Sequence, residues 1–125
     1  MGLFSSKTPK AKGSISFVEK VDALYVKAFQ TQRLDDLQKY LTPKCLTQIG
    51  ERIRMSNKDV VGIERYKKTN WSRMNDTTYV KHVTFEDVNM GCAIHIPMGD
   101  PYDEYWTIIS TDGDQKIDEI RRVAC

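Results

Sequence analysis

The sequence predicts an α+β domain in which helices come first and antiparallel strands follow. Apolar residues recur at helical spacing as far as about residue 56, whereas β-branched and aromatic residues dominate from residue 77 onward. The 125 residues, of which 40% are hydrophobic and 29% charged, suffice for one ordinary domain. We therefore expect residues 15–125 to form a single domain, with three helices packed on a curved, mainly antiparallel sheet of four to five strands. Residues 1–14, which carry three lysines and no acid, are expected to form a flexible basic arm.

The first helix is predicted from a capping box followed by an apolar stripe. The Ser16 hydroxyl can accept from the amide of Glu19, and the Glu19 carboxylate can reach back to the helix start. Apolar residues then recur every three or four positions until about residue 30. They are Phe17, Val18, Val21, Leu24, Tyr25, Ala28 and Phe29.

Two further helices are predicted before residue 57. Three leucines and a tyrosine within residues 34–41 indicate a short second helix. Thr42 is then a predicted N-cap, with Pro43 at the first position of a third helix that stops at Ser56. The buried stripe of this helix consists of Leu46, Ile49 and Ile53.

Strands are predicted in the second half of the chain. Residues 58–74 allow either a helical turn or an edge strand over 66–71, and we favour the strand. Residues 77–85 give the strongest strand signal, with Tyr79, Val83 and Phe85 on one side.

Three more strands complete the predicted sheet. They cover residues 92–96, stopped by Pro97, then 105–109 and 116–123. A tight hairpin is expected at residues 112–113. The spacing of Ile117, Ile120 and Val123 breaks strict alternation, which indicates a β-bulge.

Charge and composition narrow the partners and the compartment. The net charge is +2, but residues 44–81 carry nine bases and four acids, whereas residues 82–119 carry one base and nine acids. Because no basic run is interleaved with aromatic residues, we expect no nucleic-acid partner. The sequence has no eighteen-residue apolar run, and its first residues lack the long apolar stretch of a signal peptide, so we expect neither a membrane span nor secretion. Three cysteines without a Cys-x-x-Cys pair fit a reducing compartment. The expected location is the cytoplasm.

Several short stretches resemble one known superfamily. Residues 24–29 (Leu-Tyr-Val-Lys-Ala-Phe), 34–37 (Leu-Asp-Asp-Leu), 40–43 (Tyr-Leu-Thr-Pro), 104–108 (Glu-Tyr-Trp-Thr-Ile) and 116–120 (Lys-Ile-Asp-Glu-Ile) carry the likeness. They resemble the nuclear transport factor 2-like (cystatin-like) superfamily, and most of all its translocase-tether (Tim44-like) branch. The resemblance implies a cone-shaped fold in which the sheet wraps around the helices, and it makes a homodimer formed through the sheet the first expected partner. The superfamily includes isomerases, dehydratases, lipid-associated tethers and proteins without known activity, so the fold alone does not fix the function.

A cone of this kind would have an open end lined by aromatic side chains. The candidate pocket residues are Phe17, Tyr25, Phe29, Trp71, Phe85, His95 and Trp106, and Tyr105 belongs to the same aromatic set. The alternative is that these residues only fill the core.

The sequence predicts no catalytic residues, metal site or cofactor. A steroid-isomerase-type enzyme would need a carboxylate base in an apolar cavity, opposite a donor such as Tyr25, with His95 or Asp87 projecting from the sheet. We expect no acid within an apolar strand face, and a buried carboxylate opposite Tyr25 in a deep cavity would favour the enzyme instead. Cys92 and His95 are three residues apart on a predicted strand and would point to opposite faces.

Three functions follow, in order of preference. The first is a non-catalytic binding module whose sheet binds a protein, a second copy of the chain or an apolar small molecule. The second is an isomerase- or dehydratase-type enzyme that uses the cone pocket. The third is a peripheral membrane tether, in which the lysines of the basic arm contact anionic lipid.

Overall fold

The α+β class is confirmed by the computed structural model. It describes residues 7–56, 66–89, 91, 95–97, 99–111 and 113–125, and for residues 7–14, 89 and 95–97 it describes the backbone alone. Within these residues the chain forms two α-helices, α1 (Lys7–Thr31) and α2 (Pro43–Met55), joined by a 3-10 turn (Gln38–Tyr40). The strands are β1 (Lys67–Arg73), β2 (Thr78–Phe85), β3 (Asp87–Asn89), β4 (His95–Pro97), β5 (Tyr102–Thr111) and β6 (Asp114–Ala124).

Helix α1 begins nine residues before the predicted capping box, so the predicted start at Ser16 is wrong. Pro9 lies in the first turn, where its missing N–H has no helical partner to lose. No residue between Pro9 and Ser16 forbids helical geometry, and the backbone of residues 7–14 is helical. The apolar stripe is confirmed, because Val18, Val21, Tyr25, Ala28 and Phe29 are buried.

The prediction of a second α-helix is wrong, because residues 35–37 form a turn and Gln38–Tyr40 form the 3-10 turn. The residue before Pro43 is excluded from helical geometry by the proline ring, and Thr42 is extended, with φ −70° and ψ 161°. Leu41 is also extended, and it forms an isolated bridge with Ile117 of β6. Too few residues remain for a regular helix, although Leu37 is buried as the apolar pattern predicted.

Helix α2 forms as predicted. The Thr42 hydroxyl accepts from the Cys45 amide at 3.3 Å, Pro43 occupies the first turn, and Ser56 is the C-cap. Cys45 is fully buried and packs in the core as a small side chain. The Gln48 amide group accepts from the Ile120 N–H at 3.4 Å and donates to the Ile120 carbonyl at 3.1 Å, so α2 covers the outer edge of β6.

Four strands form one antiparallel sheet in the order β1-β2-β5-β6, and β3 and β4 form a separate hairpin. The prediction of an edge strand at residues 66–71 is confirmed by β1, and that of a strand at 77–85 by β2. The strand predicted at 92–96 is described only from His95 onward, because residues 92–94 lie outside the described part.

The β5–β6 hairpin contains the predicted turn and the predicted bulge. Gly113 has φ +85°, as a tight turn requires. The pairing shifts between Thr107 and Ile108, which leaves Asp118 without a partner in the register. Ile117 and Ile120 therefore both face the core. Val123 does not, since it lies on the other face and is 37% exposed.

The helices pack on one face of the sheet, and Trp106 lies at the centre of this interface. Its ring makes edge contacts with Tyr25 of α1 at 5.4 Å and with Trp71 of β1 at 5.2 Å between centroids. Among the described residues, neither helix combines the length and the apolar character needed to cross a bilayer.

Candidate functional site

A row of charged side chains crosses the helix-facing side of the sheet. Trp71 of β1 pairs with Lys81 of β2, Lys81 with Glu104 of β5, and Glu104 with Arg122 of β6. Adjacent strands place paired residues on the same face, so these four side chains form one line. The side chain of Lys81 is 2% exposed and that of Glu104 fully buried. The three charged members of this line, Lys81, Glu104 and Arg122, are called the charged row below, and they are the main polar feature of the described core.

Glu104 is surrounded by donors on both carboxylate oxygens. Its Oε2 accepts from the Tyr25 hydroxyl at 3.1 Å and from Nε and Nη2 of Arg122 at 3.2 and 2.8 Å. Its Oε1 accepts from the Trp106 indole N–H at 3.3 Å and lies 3.6 Å from Nζ of Lys81. A buried carboxylate with this many donors is fully satisfied.

The charges of the row stabilise one another in their ionised forms. Burial alone would raise the pKa of Glu104, but Lys81 and Arg122 outweigh burial and hold that pKa below its ordinary value of 4.5. Burial opposes the charge of Arg122 in the same way, and Glu104 raises the pKa of Arg122 above its ordinary range. Lys81 also contacts Asp22 of α1, with 2.7 Å between Nζ and Oδ1.

Tyr25 connects the row to helix α2. Its hydroxyl donates to Glu104 and accepts from Nη1 of Arg52 at 2.9 Å, while Nη2 of Arg52 donates to the Ile120 carbonyl at 2.8 Å. Burial, reinforced by the Glu104 charge, raises the pKa of Tyr25 far above its usual range, so the phenol stays protonated. Arg52 thus uses part of its donor set on neutral oxygens.

Above this network lies a pocket of about 510 Å³ between the two helices and the sheet. Its cationic lining consists of Arg52, Lys67, Lys81 and Arg122, and its acidic lining consists of Glu51. Its remaining lining residues are Tyr25, Val26, Phe29, Gln48, Met55 and Ser56. Glu104 is not among the lining residues, because Tyr25, Lys81 and Arg122 lie between its carboxylate and the pocket. The pocket is therefore apolar where helix α1 lines it, and cationic side chains lie at its floor and rim.

The structure distributes the sequence-predicted pocket residues over several places. Tyr25 and Phe29 line the pocket, and Trp71 and Trp106 pack in the core beneath Tyr25. Phe17 packs on Tyr40 at 5.9 Å, and Phe85 on Tyr102 at 6.3 Å between ring centroids. The side chain of His95 lies outside the described part, as does Cys92.

The expectation that no acid lies within an apolar strand face is wrong. Glu104 stands between Tyr102 and Trp106 on the buried face of β5, and it is the carboxylate opposite Tyr25. Lys81 also lies on a buried strand face where the sequence analysis places no charge, between Tyr79 and Val83 of β2. Alternation could have identified both, since each charged residue is two positions from apolar residues on either side. The reach of Arg52 to Tyr25 had no such signal.

Comparisons with protein-family models, with curated proteins and with solved structures found no match to this chain.

Proposed function

We propose that the chain is a non-catalytic binding module whose pocket takes a small molecule with an apolar body and an anionic group. The observation that carries this is the pocket lining, where four cationic side chains and one acidic side chain meet an apolar wall. A medium-chain carboxylate has both features. This proposal modifies the apolar ligand expected from the sequence.

Arg52 is the proposed contact for the anionic group. A guanidinium has five N–H donors, and the two bonds described for Arg52 leave donors for a carboxylate. Both of those bonds go to neutral oxygens, and no ion pair of Arg52 is found within the described residues. The anchoring to Tyr25 and Ile120 holds the guanidinium in place before a ligand arrives, which lowers the entropic cost of binding.

The apolar body is expected to lie along helix α1 and the end of α2. Val26 and Phe29 form this wall, and Met55 stands at its margin with 76% of its surface exposed. An exposed methionine beside a pocket is an adaptable contact for aliphatic groups. Covering it removes apolar surface from water and adds to the affinity.

Enzymatic use of Glu104 is disfavoured by its surroundings. A general base needs a lone pair within reach of the substrate, whereas both Glu104 oxygens are engaged and the side chain is fully buried. Burial would raise the pKa of Glu104, but Lys81 and Arg122 outweigh burial and keep that pKa low. A general base that works at neutral pH needs a raised pKa instead. The carboxylate opposite Tyr25 therefore supports a structural role.

The proposal includes a cytoplasmic location and membership of the cone-shaped nuclear transport factor 2-like superfamily. Helices packed on one face of an antiparallel sheet, with a pocket between the layers, support that membership. A homodimer remains the first partner proposal. The membrane-tether alternative shares the same chemistry of anion recognition, and vesicle binding would distinguish it from capture of a free carboxylate.

The test is a calorimetric titration with decanoate and with the uncharged decanol, both below their aggregation concentrations. We expect decanoate to bind at least about 10-fold more tightly, since a tenfold difference corresponds to only about 1.4 kcal/mol. Arg52→Gln should remove this preference and Arg52→Lys should retain part of it. Arg33→Gln is the matched control, because Arg33 is exposed, pairs with Asp35 and does not line the pocket.

Equal binding of decanol and decanoate would contradict the anionic contact, and binding of neither would contradict the proposed ligand class. Thermal unfolding of each variant separates a lost contact from a lost fold. If Arg52→Gln unfolds early, the partial retention expected of Arg52→Lys still decides the result.

A further inference from the structure

A second cluster of reactive side chains lies on the opposite face of the sheet from the pocket. His82 directly follows Lys81 on β2, and Asp103 directly precedes Glu104 on β5. Because successive side chains of a strand point to opposite faces, His82 and Asp103 face away from the charged row. They are paired residues in the β2–β5 register. Cys125 follows β6, and its backbone N–H donates to the Pro101 carbonyl at 3.3 Å.

This backbone bond fixes the position of Cys125 beside β5. Pro101 immediately precedes β5, where Tyr102 pairs with Ala124, so Cys125 continues the β5–β6 pairing by one residue. The thiol is thereby held beside Asp103. Pairing between the three neighbouring strands β2, β5 and β6 thus brings the three side chains together.

The three side chains meet at one point. Nδ1 of His82 is hydrogen-bonded to Oδ1 of Asp103, and one nitrogen, one oxygen and one sulfur atom from the three residues all lie within 4.8 Å of one another. The side chain of His82 is 50% exposed and that of Asp103 is 27% exposed. Cys125 is exposed as well. An ion from solvent can therefore reach all three ligand atoms.

Imidazole nitrogen, carboxylate oxygen and thiolate sulfur are the three ligand types that Zn²⁺ takes in proteins. Around a tetrahedral zinc ion, such ligand atoms are about 3.3–3.7 Å apart, as follows from bonds of about 2.0–2.3 Å. To reach this spacing, the exposed Cys125 side chain has to turn towards the other two and the contact between His82 and Asp103 has to open. Both are side-chain rotations on fixed strands.

We propose that His82, Asp103 and Cys125 form a binding site for a divalent transition-metal ion of the Zn²⁺ type. The three protein ligands leave a fourth coordination position for water, as in open zinc sites. On binding, the Cys125 thiol loses its proton to solvent and the thiolate and carboxylate together balance the charge of the ion. The site is separate from the pocket and does not depend on the ligand proposed there.

Cobalt titration of the full chain tests the site directly. Under a phosphine reductant, Co²⁺ should bind with one ion per chain and give the near-ultraviolet charge-transfer absorption of a cobalt–thiolate bond, and Zn²⁺ should displace it. Cys125→Ser should abolish that absorption. His82→Gln and Asp103→Asn should each weaken binding by about 10-fold or more.

Cys92→Ser and His95→Gln are the matched controls, because they change the same residue types and leave the three proposed ligand residues as they are. We expect both to bind Co²⁺ with unchanged affinity. The proposal is overturned if Cys125→Ser retains the charge-transfer absorption, if His82→Gln binds as well as the unchanged chain, or if one ion is bound per two chains. All three ligand residues are partly or fully exposed, so circular dichroism should show that their variants fold.

Discussion

Glu104 on β5 and Arg122 on β6 are register partners, and both Nε and Nη2 of Arg122 contact the same carboxylate oxygen. The Glu104 end of this pair is fully buried, whereas the Arg122 side chain is 43% exposed. The ion pair therefore joins the core to the pocket, since Arg122 also lines the pocket. A ligand that contacts Arg122 would therefore change the ion pair between Arg122 and Glu104.

Glu104→Gln should destabilise the protein by about 3–5 kcal/mol, because the change leaves Lys81 and Arg122 without their buried carboxylate. Urea denaturation at neutral pH measures this free energy of unfolding. A loss below about 1 kcal/mol would contradict the importance of the charged row. Asp76→Asn is the matched control, since the Asp76 carboxylate is 92% exposed.

The stability of the unchanged chain should fall with acid in a way that Glu104→Gln reduces. Lys81 and Arg122, working against burial, hold the folded-state pKa of Glu104 below 4.5, so the unfolded chain takes up the proton first as pH falls. The stabilisation is complete above 4.5 and is lost as pH drops through the folded-state pKa. Denaturation midpoints from neutral pH to below 4.5 give the slope, and an unchanged slope in Glu104→Gln would be the contrary result.

Lys81→Met and Glu104→Leu should be strongly non-additive. Each single change leaves a buried charge of one sign in excess, whereas the double change removes both charges together. We expect the double variant to be less destabilised than the sum of the single variants by about 0.5–3 kcal/mol. Strict additivity in urea denaturation would show that the two side chains do not interact.

Thr42→Ala should cost about 1 kcal/mol through loss of the N-cap of α2. The same hydroxyl donates to Asp118 at 3.0 Å, so the change also loosens the bulge of β6 from the helix start. Thr42→Ser keeps the hydroxyl and should retain most of the stability. Thermal unfolding of the two variants distinguishes loss of the hydroxyl from loss of the methyl group.

Gly113→Ala should destabilise the β5–β6 hairpin by about 1–2 kcal/mol, because a residue with a Cβ is strained at φ +85°. An added Cβ would meet no atom within 4 Å, so the cost is one of backbone conformation alone. Gly113→Asn should cost less, since asparagine tolerates this region. Equal destabilisation by the two residues would contradict this explanation.

The elements with strong local signals were predictable from the sequence, and those decided by long-range contacts were not. Alternation located β2, and Thr42 with Pro43 located the start of α2, because these signals act within a few residues. The start of α1 was mislocated, since a capping box at Ser16 only permits a helix to begin there and does not require it. The second predicted helix failed because Leu41 is drawn into an extended bridge with Ile117, which is far away in the chain.

The candidate site was predicted only in part, for a physical reason. Tyr25 and Phe29 were recognised by their apolar periodicity, whereas Lys81 and Glu104 were not, because charged residues are expected on solvated faces. Their burial becomes favourable only when strand pairing brings opposite charges together. The cluster of His82, Asp103 and Cys125 depends on the same pairing, and no spacing in the sequence announces it.

The order of signs across the strands also protects the chain from misfolding. If one strand slides by two positions, every apolar side chain stays on its own face, so a sheet whose buried face carried only apolar residues would tolerate the error. If β5 slipped in this way, Lys81 would pair with Trp106 or Tyr102, and the Glu104 carboxylate would be buried without its cationic partner, at a cost of several kcal/mol. The charged row therefore favours the native alignment of the sheet over one that is shifted by two residues.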